Sequence, residues 1–332
     1  VRNLLTDVAG LSVGHATDLV LGSGVTAIVF DRPATAAVSV LGGAPGGRDT
    51  GMLAPEMTVD AVDAIVLSGG SAFGLDAAGG VQAALREQGR GFAIRDARIP
   101  IVPQAIIFDL LNGGDKDWGR FSPYRDLGYA AACAADAPSV DPAFALGSVG
   151  AGTGATTALV KGGLGSASAR TAAGHVVAAI AVVNAVGSPM IGTGPWFWSA
   201  PYEQDAEFGG LGWPAHMDTT LRLKGSPGTS TTIGLVATDA VLTKAQAQRL
   251  AIMAHDGLAR AVLPAHAPLD GDTIFAAATG HRALGDPLPE LTELGYTATL
   301  VMARAIARGV HAATALPVPN AQPAWRDRFG QT

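Results

Sequence analysis

Short apolar runs alternate with glycine-rich loops along the chain, and the spacing of the apolar positions changes from run to run. Runs too short for helices and rich in Val, Ile and Ala predict strands at 11–13, 24–30, 36–41 and 61–67. A glycine loop at 42–50 closes the third of them, and the fourth enters the turn Ser68-Gly69-Gly70-Ser71-Ala72-Phe73-Gly74. Apolar residues at helical spacing then predict a helix over 75–88. Residues 99–110 are apolar but contain Pro103, so an edge or interrupted strand is expected. A polar loop at 112–123 follows, and the Ala-rich 129–135 predicts a helix. A second glycine cluster at 147–154 and the stretch 158–163 lead to strands around 166–170 and 175–186.

Residues 187–228 carry Trp196, Trp198, Trp213 and several prolines with neither period. An irregular stretch of that length in a compact domain usually has a function. Beyond it, 231–238 reads as a buried strand, and Thr243 is placed to cap a helix with Leu250, Met253 and Leu258 on its apolar face. Asp270-Gly271-Asp272 precedes a strand at 273–278, a long helix is expected over 291–313, and a Pro-rich tail runs to Trp325. Some consecutive strands are spaced as hairpins. No repeat, low-complexity tract or shift in composition marks a linker, so one layered α/β domain over 1–332, with mixed sheets covered by helices, is expected.

Composition narrows the picture. The 332 residues are 48% hydrophobic and only 15% charged, with 44 glycines, which suits a large interior, tight turns and extensive subunit contacts. A net charge of −6 without a basic patch argues against a nucleic-acid partner. The single cysteine excludes an internal disulfide, and Cys133, within Ala-Ala-Cys-Ala-Ala, reads as a small core residue. The N-terminus has no signal-peptide core. The most membrane-like run, 176–186, contains Asn184 and is too short to span a bilayer. A cytoplasmic protein without a membrane partner is the expectation.

Several motifs fail on inspection. Gly69-Gly70-Ser71-Ala72-Phe73 sits where a nucleophile elbow would, but Phe73 breaks the Gly-x-Ser-x-Gly pattern; a packed strand–helix turn explains it better. Gly150-Ala151-Gly152-Thr153-Gly154 lacks the strand before and the acidic residue after that a dinucleotide loop needs. Lys161 is followed by Gly162, so it is no phosphate-loop lysine. No His-x-x-x-His pair exists, and Asp270-Gly271-Asp272 lacks the later ligands of a calcium loop. No cofactor and no metal are expected.

What remains is Ser230-Thr231-Thr232, which runs into a strand. A hydroxyl beside a backbone carbonyl at a strand start suits a chain that cuts itself and uses the new N-terminal Thr231 as nucleophile. By spacing alone a Ser/Thr-rich turn is the commoner explanation. Asp270 and Asp272 can reach from one loop towards one point, although alone they too read as a solvated turn.

Joined to other segments, these residues resemble the DmpA-type P1 peptidase family (S58), which holds L-aminopeptidase/D-esterases, β-peptidyl aminopeptidases and nylon-oligomer endohydrolases. The matching segments are Thr-Thr-Ile-Gly-Leu-Val-Ala-Thr-Asp-Ala at 231–240, Ile252-Met253-Ala254-His255-Asp256-Gly257, and Pro264-Ala265-His266-Ala267-Pro268-Leu269-Asp270-Gly271-Asp272. Earlier matches are Val13-Gly14-His15, Gly42-Gly43-Ala44-Pro45-Gly46, Leu67-Ser68-Gly69-Gly70-Ser71, Lys161-Gly162-Gly163 and Val182-Val183-Asn184.

The resemblance implies an αββα sandwich, similar to N-terminal-nucleophile hydrolases but differently connected. It implies self-cleavage between Ser230 and Thr231 into 1–230 and 231–332, and a homotetramer of the cut pairs. It implies Asn184 in the oxyanion hole, Asp270 and Asp272 as acidic partners, and Lys161 near the nucleophile. The substrate would be a small peptide, a β- or D-amino-acid amide, or an ω-amino-acid (6-aminohexanoate) oligomer. Two departures stand out: Ser230 where many relatives have Asn, and Phe108 where the aminopeptidases have a Tyr that assists the oxyanion. Two other readings compete, an acyltransferase of the ornithine-acetyltransferase type and a non-catalytic scaffold.

Overall fold

A computed structural model describes residues 2–136, 143–225 and 230–330; Gly228 and Thr229, at the head of the predicted Ser/Thr loop, lie outside them. In chain order the strands are β1 (Leu11–Asp18), β2 (Ser23–Val40), β3 (Gly47–Arg48), β4 (Ala61–Ser68), β5 (Phe92–Ile94) and β6 (Ala97–Ile99). They continue with β7 (Gln104–Ile106), β8 (Gly163–Arg170), β9 (Val176–Asn184), β10 (Thr231–Ala240) and β11 (Thr273–Arg282). The helices are α1 (Ser71–Gly74), α2 (Ala77–Glu87), α3 (Tyr124–Asp136), α4 (Lys244–Ala261), α5 (Pro287–His311) and α6 (Trp325–Phe329).

The period-2 alternation along the strands sorts their side chains into layers. On β9, Ala178, Ile180 and Val182 enter one core while Val177, Ala179, Ala181 and Val183 enter another. On β10, Ile233, Leu235 and Ala237 share the first core, and Val236 and Ala240 the second. The second core is closed by Leu250, Ala254 and Leu258 of α4 and by Ala298, Val301, Met302 and Ala305 of α5. On the other side, Ile28, Phe30, Ile65 and Leu67 of β2 and β4 fill the first core. Val25, Ala27, Ala64 and Val66 point the opposite way, onto Val81 and Leu85 of α2 and Ala131 and Ala132 of α3. Helices, strands, strands, helices: the molecule is an αββα sandwich.

The strands run β3-β7-β4-β2-β11-β10-β9-β8, with β1 also on β2. The two sheet layers are thus joined through one strand. The expected strands at 24–30 and 36–41 are a single element, β2, whose first half pairs with β1 and β4 and whose end pairs with β11. Its register on β4 shifts between Val29 and Ala34, which lets it change layers. Consecutive strands do form hairpins, at β1–β2 and β8–β9, whereas β10 and β11 are parallel neighbours, linked through α4. Within 99–110 only Gln104–Ile106 is a strand, because Pro103 just before it cannot donate to a ladder.

Thr243 caps α4 as expected, accepting from Gln246 N, while the Gln246 side chain accepts from Thr243 N at 2.9 Å. A further expectation, that Cys133 is a core residue, is overturned. Cys133 is exposed, because α3 turns Tyr124, Gly128, Ala131, Ala132 and Ala135 inward and leaves Cys133 on its outer face. The β5–β6 hairpin was not expected; all six of its residues are exposed, so it carries no buried alternation to read. Among the described residues no helix is long and apolar enough to cross a membrane.

Candidate active site

The site forms where β10 begins, in the middle of the sheet. Thr231 is the cross-strand partner of Asn184, the last residue of β9, and Ser230 forms a parallel bridge with Asp270 just before β11. Strand pairing alone therefore brings Asn184, Thr231 and the Asp270-Gly271-Asp272 loop together. Both Ser230 and Thr231 are buried, and the Thr231 hydroxyl donates to the Ser230 carbonyl oxygen.

That hydroxyl points at the glycine between the two acids. A Cβ on Gly271 would stand 2.8 Å from Thr231 Oγ1 and 2.9 Å from the Ala44 carbonyl oxygen, so any larger residue would push the hydroxyl aside. The loop is braced in turn by Gly42, where a Cβ would lie 2.3 Å from Asp272 N. Backbone N–H groups of Leu41 and Gly42 donate to Asp272 O, and Ala44 N donates to Asp270 O. The glycines of Gly42-Gly43 are thus explained by close approach of two backbones.

The two acids differ in what they hold. Asp272 Oδ1 accepts from Thr232 N at 2.8 Å, and its Oδ2 accepts from His266 N at 2.9 Å and pairs with His266 Nδ1 at 2.8 Å. Asp270 Oδ2 accepts from Ala267 N at 3.2 Å; its buried Oδ1 has no hydrogen bond within 3.5 Å among the described residues, the Val186 N–H acting on the carboxyl from farther off. Burial, with the Asp272 charge adding to it, pushes the Asp270 carboxyl up to about 6. An unpaired buried carboxylate oxygen is costly, and such atoms collect at working sites.

Asn184 is fully buried at the centre of a second network. Its Oδ1 accepts from Thr156 N at 3.0 Å and from Lys224 Nζ at 2.9 Å, and its Nδ2 donates to the Phe108 carbonyl oxygen at 3.0 Å. The reverse orientation of the amide would set donors against donors, so this one is fixed by its partners. Phe108 has no hydroxyl, but its backbone holds Asn184. Asp109 next to it anchors that backbone, accepting from Ser23 Oγ at 2.6 Å and Gly70 N at 2.7 Å; burial raises its pKa.

Lys161 is buried. Its ammonium donates to the carbonyls of Gly152 and Gly162 at 3.1 and 2.9 Å, no hydrogen bond of its side chain reaches Thr231 among the described residues, and burial pulls it down to about 7. Lys224 is closer to the reacting residues and is likewise pulled down to about 7, burial outweighing the attraction of Asp270 and Asp109. Sequence reasoning missed Lys224, which sits in the irregular stretch before Ser230 with no periodic signal. It also gave His266 no role, although a histidine six positions before Asp272 could have been tested as its partner. Ser71 lines the same opening as Thr231, and its left-handed backbone (φ 52°) turns the chain there while its N–H donates to Ile107 O.

Two cavities meet at Phe108. One, of about 360 Å³, is lined by Ser230, Thr231, Ser71, Gly46 and Leu269. The other, of about 380 Å³, is lined by Lys224, Thr156, Asn112, Asn320 and Gln322. Among the described residues no group of three His, Cys, Asp or Glu side chains is arranged to hold a metal ion.

The model of peptidase family S58 matches residues 3–323. The chain is 43% identical over 354 aligned residues to an uncharacterized aminopeptidase of Mycobacterium bovis, covering 98% of each chain. It is 29% identical over 291 residues to the 6-aminohexanoate-oligomer endohydrolase of a Kocuria species, covering 84% of this chain and 75% of that one. Among solved structures, a Burkholderia β-aminopeptidase superposes with a TM-score of 0.70 at 24% identity, over 98% of this chain and 91% of that one. The L-aminopeptidase D-Ala-esterase/amidase of Ochrobactrum anthropi, described as a new variant of the Ntn-hydrolase fold, gives 0.67 at 20% identity, over 96% and 88%.

Proposed function

Because the chain belongs to peptidase family S58 and is an amide-bond hydrolase, we propose that it cuts itself between Ser230 and Thr231 and then uses Thr231 as an N-terminal nucleophile. The observation that carries this reading is the Thr231 hydroxyl held against the Ser230 carbonyl and aimed at Gly271 between two acids. One domain would thereby become two interlocked fragments, 1–230 and 231–332.

In self-cleavage, Thr231 Oγ bonds to the Ser230 carbonyl carbon, the Ser230–Thr231 C–N bond breaks, and the hydroxyl proton ends on the released amine. Water then hydrolyses the ester, leaving a Ser230 carboxylate and a free Thr231 amine. Before the cut that amine does not exist, so another base must take the proton in passing. Asp270 suits the role: its backbone is bridged to Ser230, its Oδ1 has no close hydrogen-bond partner among the described residues and, with a pKa raised to about 6, it is ionised at neutral pH while basic enough to accept.

In turnover the new amine, with an ordinary pKa of about 7.7–8.0, serves its own hydroxyl as base. Thr231 attacks the substrate carbonyl, the substrate amine leaves with the proton, and water releases the acyl group. Asn184, opposite Thr231, would turn its Nδ2 amide to the oxyanion as a donor; losing such a donor typically raises the barrier by roughly 2.7–4 kcal/mol. Asp270 and Asp272 would hold the amine, and Lys161 would support the Asn184 side of the site from beneath. Substrates would be small peptides, amino-acid amides or 6-aminohexanoate oligomers. Assembly of the cut pairs into a homotetramer belongs to the same reading, supported by exposed Val20, Leu111, Phe121 and Leu288 on a surface poor in charge.

The test is intact mass with a denaturing gel. Wild-type protein should give two fragments joined at Ser230/Thr231, and Thr231→Ala a single chain without amidase activity. An active preparation consisting only of uncut chain would overturn the mechanism.

A further inference from the structure

The cavity beside Lys224 has no part in the chemistry described above, yet it shares the Phe108 wall with the cavity of the nucleophile. Resting on the reading of Thr231 as nucleophile, we propose that this cavity is the subsite for the carboxylate that ends the departing portion of a short amide substrate, with Lys224 as its anchor.

Position comes first. Lys224 Nζ donates to Asn184 O at 3.3 Å and to Asn184 Oδ1 at 2.9 Å, and Asn184 is the cross-strand partner of Thr231. Directly opposed Cα atoms in such a pair are about 4.5–5.5 Å apart. The ammonium therefore stands within one or two residue lengths of the reacting position, at roughly 3.3–3.6 Å per residue. That suits a leaving group of one amino acid rather than a long chain.

Charge comes second. Lys224 lines the cavity, the buried Lys161 is near enough to feel its charge, and Lys116 donates to Oδ1 of the lining residue Asn112 at 3.2 Å. Asp109 lines the same cavity, but its oxygens accept from Ser23 Oγ and Gly70 N. Lys116 is attracted by Asp109, Asp18 and Asp115, Lys161 by Asp109, and Lys224 by Asp270 and Asp109. These attractions fall short of the cost of burial: Lys161 and Lys224 both sit at about 7. A carboxylate entering the cavity would add a negative charge beside the Lys224 ammonium. The polar walls, from Asn112, Thr156, Asn320 and Gln322, suit such a group better than an apolar tail.

The experiment uses the wild-type protein and Lys224→Met, with Lys224→Arg as the charge-keeping control. Substrates are alanyl-alanine and alanyl-alaninamide, which differ only in the terminal charge. Because Lys224 also donates to Asn184, Met should slow both, but the preference for the free acid should drop by about 10- to 100-fold, the usual scale of one charge-assisted hydrogen bond, mainly through KM. Arg should restore part of it. Equal losses on both substrates would overturn the subsite and leave Lys224 as a support for Asn184.

Calorimetry with pentanoate and pentanamide separates this proposal from the nucleophile assignment, since it needs no turnover. Pentanoate should bind the wild type at least tenfold more tightly than pentanamide, and this margin should vanish in Lys224→Met of unchanged melting temperature. Equal binding of the two, or a margin that survives the substitution, would sink the proposal even if Thr231 cleaves the chain as described.

Discussion

At the scale of single residues, the site works by placing groups in environments that oppose their ordinary ionisation. Asp270 is the clearest case, with a carboxyl pushed up to about 6 by burial and by Asp272. The unfolded value is about 3.9, so between these two the folded state binds more protons. On this group's account, stability is highest below about pH 4, falls as pH rises to about 6, and stays lower above it. Asp270→Asn lacks that penalty. Melts of Thr231→Ala with and without Asp270→Asn, both uncut, should show the Asp270 protein gaining on the Asn variant by about 2 kcal/mol as pH is lowered from 7 to 4. The same protonation should slow self-cleavage below about pH 6, and the rate of fragment appearance against pH gives the midpoint. A stability difference that does not move with pH would contradict the assignment. Thr231, Asn184, Asp270 and Asp272 could be singled out in the chain because they stand in specific motifs. Lys224 could not, since nothing in its neighbours distinguishes a buried lysine from a solvated one.

Among the elements, contact between α5 and β8 decides how closely the helix layer sits on the sheet. Gly165 and Gly309 face each other there: a Cβ on Gly165 would lie 1.9 Å from Ala305 O and 2.3 Å from Gly309 N. The obstacle is backbone, which cannot rotate away as a side chain can. Gly165→Ala should therefore lower the melting midpoint by roughly 2–10 °C, whereas Gly51→Ala, with open space around its Cβ position, should change it little. A calorimetric scan of the three proteins checks this, and equal midpoints would mean that the layers can slide apart at no cost. The same scale explains a misreading along β2. Its two apolar runs look like separate strands because residues 31–33 are exposed, but the backbone stays extended through them and carries one strand from the first layer into the second.

For the whole molecule, the consequence of a cut at Thr231 is set by topology. The two strands of 231–332, β10 and β11, lie side by side between β9 and β2, which belong to 1–230. Arg304 adds a buried tie, reaching Glu207 at 2.5 Å, Asn3 at 2.9 Å and Ser168 O at 3.1 Å across the cut. Separation would break two strand ladders, expose both cores to water and part the Arg304–Glu207 pair. The fragments should thus co-elute in native size-exclusion runs and part only in denaturant. Elution as separate species in buffer would show that the cut loosens the fold.

The sequence by itself determined the alternation of strands and helices, the capped α4, the family pattern and the small group of hydroxyl, amide and acidic residues worth testing. Those features are local: a period, a cap or a motif is complete within a few neighbouring residues. Only the tertiary structure decided that Asn184 stands opposite Thr231, that Gly271 must lack a side chain, and that Lys161 and Lys224 sit at different depths. It also turned Cys133 outward and ran β2 through both layers. Each of these depends on which distant backbone comes within a few ångströms and how much water it displaces, and neither is written in the spacing of residues along the chain.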